Sequence, residues 1–163
     1  MSETDRVDFY LAAAAQVVAS TRYCWLATPG GTGAVSARPM GRLPKGRDDE
    51  WLLRFVTDER SRKVGEIGRN SRVTLIVQRD AEDAYLSLAG EAVVRPRARE
   101  DLGHWRDAYR VYFPGEGEER HAAFLEVRID RIELWLRGVT PEPFGLRPTV
   151  LARDASGSWR QVD

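Results

Sequence analysis

Disulfide cross-links, membrane spans and a surplus of either charge are all missing from this chain of 163 residues. Its one cysteine, Cys24, cannot form an internal disulfide, which fits a reducing cytoplasm. Twenty-five Lys and Arg balance 25 Asp and Glu, so the net charge suggests neither nucleic acid nor an anionic membrane as partner. No apolar run approaches the roughly 20 residues of a transmembrane helix. The start, Met1 to Arg6, is polar and acidic, unlike a secretory leader. The two histidines, His104 and His121, stand far apart with no Cys/His cluster around them, so no zinc site is expected. There is no P-loop. Gly30-Gly31-Thr32-Gly33 lacks the spacing of a dinucleotide fingerprint and joins two strands. No serine sits in a nucleophile-elbow context. What remains is the expectation of a soluble cytoplasmic domain, long enough to bury a core.

The pattern that is present reads as one helix followed by a mostly β body. Val7, Tyr10, Leu11, Ala14, Val17 and Val18 recur at helical spacing behind Ser2 or Thr4, predicting an amphipathic helix over about 4–20. Strands are expected at Tyr23–Thr28 and Ala34–Arg42, joined by the Pro29–Gly33 turn, and at Trp51–Thr57. A short helix follows from Ser61, then strands at Arg72–Arg79, Tyr85–Val94 and Phe124–Trp135. Arg99–Tyr112 reads as helix. Thr149–Arg153 and Trp159–Val162 flank Asp154-Ala155-Ser156-Gly157 as a last hairpin. Six or more short strands in hairpin order predict a mainly β (α+β) fold, an antiparallel barrel with peripheral helices. No repeat or second domain is visible.

The most informative stretch runs from Trp51 to Lys63. It begins as a strand, breaks at Asp58-Glu59 and opens a helix at Ser61, a good N-cap residue. Yet Arg62 and Lys63 occupy the first turn, with Arg60 just outside. Cations at the positive end of a helix cost about 0.3–1 kcal/mol each. An anion docked there would remove that cost, because free backbone N–H groups and cationic side chains would point at the same charge. Alternatively, Asp58 and Glu59 neutralise the three cations and the segment is an ordinary solvated helix start. The sequence leaves both open.

Two further features bear on a ligand. Pro39 in Ala37-Arg38-Pro39-Met40-Gly41 belongs at a sheet edge or bulge, where backbone groups are free to bond a planar heterocycle. Arg38 there is either a cation for a phosphate or ring carbonyl, or a solvated edge residue. Trp135, in Glu133-Leu134-Trp135, is either core packing or a wall against a ring. Cys24, between Tyr23 and Trp25, reads as a buried core thiol.

Taken in order, six segments resemble the pyridoxamine 5′-phosphate oxidase-like flavoproteins, specifically the small general-stress-protein branch. They are Arg38-Pro39-Met40, Phe55-Val56-Thr57, Ser61-Arg62-Lys63, Ser87-Leu88-Ala89-Gly90, Tyr112-Phe113-Pro114 and Glu133-Leu134-Trp135. The resemblance implies an antiparallel split β-barrel with peripheral helices that binds FMN, in a homodimer with FMN at the subunit interface. On that likeness the barrel spans about 23–136, preceded by the helix of about 4–20 and followed by a C-terminal extension of about 141–163. Position by position, it implies that Arg38, Pro39 and Met40 line the flavin and its phosphoribityl chain. Val56 and Thr57 would present backbone and hydroxyl groups, Ser61, Arg62 and Lys63 would grip the phosphate, and Trp135 would approach from the partner subunit. The flavin would carry the redox chemistry for a small-molecule donor and acceptor.

One departure argues against pyridoxamine phosphate oxidation itself. The oxidase follows its closing Trp with Arg-x-His, whereas Trp135 is followed here by Leu136-Arg137-Gly138. The oxidase's lysine after the first arginine is also replaced, by Arg38-Pro39-Met40. An FMN-dependent oxidoreductase of unassigned substrate is therefore expected, with no catalytic side chain assigned. A flavin-binding stress-response module without turnover, or a barrel using the deazaflavin F420, are the alternatives. Haem is less expected, for want of an axial histidine. A nucleic-acid-binding barrel would need Arg95, Arg97 and Arg99 to form a local basic row.

Overall fold

The computed structural model describes residues 1–44, 51–96 and 107–162. Helix α1 (Glu3–Ala19) is followed by strands β1 (Tyr23–Pro29), β2 (Val35–Gly41) and β3 (Leu52–Asp58), then helix α2 (Arg62–Arg69). Strands β4 (Arg72–Arg79), β5 (Ala84–Pro96), β6 (Ala122–Leu136), β7 (Thr149–Arg153) and β8 (Trp159–Val162) complete the chain. The segment expected as a helix over 99–112 lies outside the described residues up to 106, and Asp107–Tyr112 is a short 3-10 helix. Most of the loop Leu43–Asp49, and residues Arg97, Arg99 and His104, likewise lie outside them.

The eight strands form one antiparallel sheet in the order β2-β1-β4-β5-β6-β7-β8, with β3 also paired to β6. Strand β6 organises it. Its first half pairs with β3, from Asp58 opposite Ala122 to Leu52 opposite Arg128. Its second half pairs on the same edge with β7, from Arg131 opposite Ala152 to Leu134 opposite Thr149. The register between β5 and β6 shifts at Ala89/Gly90. A Cβ on Gly90 would lie 2.1 Å from the Arg128 carbonyl oxygen, so this bulge admits no side chain.

Period-two alternation turns Cys24, Leu26 and Thr28 of β1 inward and leaves Tyr23 and Trp25 exposed. Leu26, Phe55, Leu75, Leu88, Leu125 and Ile132 are fully buried in a single core. Truncating any of the leucines to alanine should cost about 2–5 kcal/mol. Cys24 lies in that core, where burial pushes its thiol up to about 11. Helix α1 lays Val7, Tyr10 and Ala14 against the sheet, with Leu11, Val17 and Val18 partly buried beside them. The residues expected as a C-terminal extension supply β7 and β8, which continue the sheet beyond β6. Trp159 meets Trp51 edge-on, with ring centroids 5.9 Å apart.

The sheet does not close. Among the described residues, β2 and β3 meet through one bridge, Arg42 opposite Phe55, and the Leu43 N–H donates to the Arg54 carbonyl at 2.8 Å. This is the split in the barrel. Where the backbone ladder stops, side chains can part.

Candidate functional site

A cleft of about 1200 Å³ opens along that seam. Pro39 to Pro44 form one wall and Trp51 to Thr57 contribute the other, with Gln16 and Ala19 of α1 and Tyr109, Tyr112 and Phe113 around them. Lys63, from the first turn of α2, lines the cleft beside Thr57 and Asp58.

Ser61 stands at the N-cap of α2 with extended dihedrals, φ −68° and ψ 150°, but its side chain makes no capping bond. Its hydroxyl instead accepts a hydrogen bond from Lys63 Nζ at 3.2 Å, and Thr57 Oγ1 accepts another at 3.0 Å. Burial, and then the nearby Arg38 guanidinium, hold the Lys63 ammonium below its usual pKa, with Asp58 opposing. No carboxylate of the described residues pairs with it. A half-buried ammonium framed by two hydroxyls is a fitting place for a phosphate oxygen.

Neutralisation accounts for two of the three cations at this helix start. Arg60 pairs with Asp58 at 2.7 Å and Glu118 at 2.6 Å. Its bonds hold the Asp58 carboxyl down to about 2. Glu59 is engaged by His121, 3.2 Å from ring nitrogen to carboxylate. Arg62, largely exposed, reaches back to Glu66 at 3.3 Å. Arg60 and Arg62 are thus neutralised by Asp58, Glu118 and Glu66, while Glu59, expected to share that role, is taken by His121.

Arg38 is not the solvated edge residue that its strand position allowed. Edge strand β2 and its neighbour β1 turn it inward, where it donates to Thr28 Oγ1 at 2.5 Å, Glu66 Oε2 at 3.0 Å and the Leu26 carbonyl at 3.3 Å. The buried Thr28 hydroxyl donates in turn to Glu66 Oε2 at 2.6 Å. That bond, with the arginines behind it, holds the Glu66 carboxyl below the usual carboxylate range against the opposing effect of burial.

Of the residues expected at the site, Pro39, Met40, Val56, Thr57 and Lys63 share the cleft wall. Ser61 touches it through Lys63. Arg38 and Arg62 converge on Glu66 instead. Trp135 lies on β6, half-buried opposite Tyr85, away from this wall. Thr28 and Glu66 went unforeseen. The spacing of Arg62 and Glu66 is that of a surface helical pair, and nothing local to the helix signals that Glu66 is buried. Arg95, one of the three arginines of the suggested basic row, is paired with Glu126.

Fold and cleft together define an antiparallel split barrel with a cleft at its seam, lined by Thr57 and Lys63. A family profile described as pyridoxamine 5′-phosphate oxidase like matches residues 11–140, and the chain belongs to that family. Nothing among curated proteins matches the chain. Among solved structures it is similar to a pyridoxamine 5′-phosphate oxidase-related, FMN-binding protein from Nostoc punctiforme. There the TM-score is 0.70 at 16% identity, covering 100% of this chain and 98% of that one. It is also similar to a protein from Clostridium acetobutylicum related to general stress protein 26, with TM-score 0.71 at 18% identity, covering 93% and 96%. A structure named F420 reductase gives TM-score 0.56 at 19% identity, covering 72% and 93%. At these identities the likenesses establish the split-barrel fold.

Proposed function

We propose that this protein binds FMN at the seam cleft and passes hydride or electrons through it to a small-molecule partner. The observation that carries the reading is the Lys63–Thr57–Ser61 corner, a desolvated cation between two hydroxyls on the wall of a cleft wide enough for a flavin nucleotide. In this reading Lys63 meets the phosphate, with Ser61 and Thr57 completing its shell. Met40, Pro39 and Val56 flank the ring system, while Arg38 and Arg62 stay bound to Glu66. The flavin, when bound, supplies the redox chemistry, and the side chains position it and exclude water.

We further read the working unit as a cytoplasmic homodimer. Tyr23, Trp25, Val35 and Ile76 are exposed on the outer face of β1, β2 and β4, with Trp25 opposite both Pro39 and Ile76. Such a stripe favours burial against a second copy. Trp135, remote from its own cleft, would then be free to wall the partner's. A monomer in sedimentation analysis would overturn the shared site.

The deciding measurement is the visible absorption spectrum of the purified protein, followed by mass spectrometry of any released ligand. A flavin spectrum with the mass of FMN is expected. A deazaflavin mass would favour the F420 reading, which the fold likeness to an F420 reductase supports. A colourless protein that takes up neither added cofactor would overturn both. Reduction of the bound flavin by NADH or NADPH separates an enzyme from a binding module, which would show no reduction with any donor.

A further inference from the structure

We propose that Glu66 is a positioning residue that limits how tightly the corner holds its anion: it turns Arg38 and Arg62 onto itself and leaves Lys63, with the Thr57 and Ser61 hydroxyls, to meet the phosphate. The inference rests on the reading of that corner as a phosphate site. Its geometry is a closed polar ring. Glu66 Oε2 accepts from Thr28 at 2.6 Å and from Arg38 at 3.0 Å, while Arg38 also donates to Thr28 Oγ1 at 2.5 Å. A hydroxyl has one proton and two lone pairs, so Thr28 can serve both partners at once and locks the guanidinium toward the carboxylate. The other carboxylate oxygen, Oε1, takes Arg62 at 3.3 Å. Both oxygens are therefore engaged by cations that the order of residues along the chain would have given to the ligand.

Glu66 is buried, so water and salt screen its charge poorly. It lies one helical turn beyond Lys63, on a neighbouring position of the same surface of α2. Its negative charge acts against a bound phosphate in two ways of the same sign. It repels the anion directly, and it holds two cations away from it. For Arg38 to reach the phosphate it would have to leave a buried carboxylate without its cation, and that cost opposes the exchange. The chemistry implied is a phosphate monoester held by one cation, an exchangeable ligand rather than a permanently enclosed one.

The sign of the effect makes the inference testable. Removing a buried, fully bonded carboxylate from a purely structural role should loosen the site. Here Glu66→Gln, which keeps the shape and the acceptor for Thr28, should tighten FMN binding by about tenfold. Riboflavin, which lacks the phosphate, should bind unchanged. Full-length protein titrated with FMN and with riboflavin, followed by flavin fluorescence, reads both. Adding Arg38→Gln and Arg62→Gln to Glu66→Gln should return FMN affinity to near the wild-type value. FMN affinity that is unchanged or weaker in folded Glu66→Gln would overturn the proposal. Should that variant fail to fold, the exposed Arg62 gives an independent arm. Arg62→Gln should change FMN affinity less than about twofold while Lys63→Gln abolishes most of it. Equal losses would place Arg62 on the phosphate and overturn the proposal. Wild-type protein that binds no FMN would instead overturn the reading beneath it.

Discussion

The two helices of this protein begin in opposite ways. At α1, Ser2 Oγ accepts from the Asp5 N–H at 3.1 Å and the Asp5 carboxylate accepts from the Ser2 N–H at 3.0 Å, with Glu3 adding a second acid to the first turn. That reciprocal pairing satisfies orphan N–H groups and complements the helix dipole from within the chain. At α2, Ser61 occupies the same cap position, yet its side chain caps nothing and the first turn holds no acid. Its neighbours Arg62 and Lys63 are cations where the dipole disfavours them. A helix start completed by its own side chains serves the fold. The start of α2, left incomplete beside the cleft, is held by the packing of Glu66 and Ile67 beneath it.

The contrast can be broken most severely at Lys63. Lys63→Ala should weaken FMN binding by roughly 10- to 150-fold, the worth of about 1.5–3 kcal/mol for hydrogen bonds to a charged group. Thermal stability should hold or rise slightly, because a misplaced cation leaves the helix start. Flavin titration alongside a melting curve checks both, and a parallel fall in both would make Lys63 a structural residue.

Ser61→Asp would convert α2 into a second α1. A carboxylate at the cap should stabilise the helix by about 0.5–1 kcal/mol. It should also oppose the phosphate, so FMN affinity falls as melting temperature rises. Movement of the two in the same direction would mean the helix start is not anion-accepting.

Ser2→Ala, the corresponding lesion in α1, should cost about 1 kcal/mol and lower the melting temperature by roughly 2–4 °C. FMN affinity should stay within error in that variant, as measured by the same titration.

The smallest expected effect is a pH dependence. The Ser2 hydrogen bonds hold the Asp5 carboxyl below its ordinary value. A lowered folded pKa gives stability that is present above the unfolded pKa and lost as pH falls through the folded one, so the α1 cap should weaken only below about pH 4. Protection of the amides of residues 5–8 from exchange, taken relative to the intrinsic rate at each pH, should be high at pH 5 and lower below pH 4.

Where the signals were local, the sequence was readable. Arg72–Arg79, Thr149–Arg153 and Trp159–Val162 fall where β-rich runs bounded by turn residues place them, and β1, β3 and β6 differ by a residue or two at their ends. Ser2 as the cap of α1 and Cys24 as a core thiol were equally legible. The ordered segments from Arg38 to Trp135 carried the family, now matched over residues 11–140. The candidate site was legible only in outline. Thr57 and Lys63 could be paired because they lie within one strand-to-helix turn.

What the sequence determined by itself, then, was the order of most elements and the family, because periods of 2 and 3.6 and turn chemistry act over a few residues. The tertiary structure alone decided which of the cations faces the cleft. Thr28 reaches Glu66 across 38 positions and Arg38 reaches it across 28. Those contacts exist only once β1, β2 and α2 have packed, and a buried carboxylate claims whichever cations the packing brings to it.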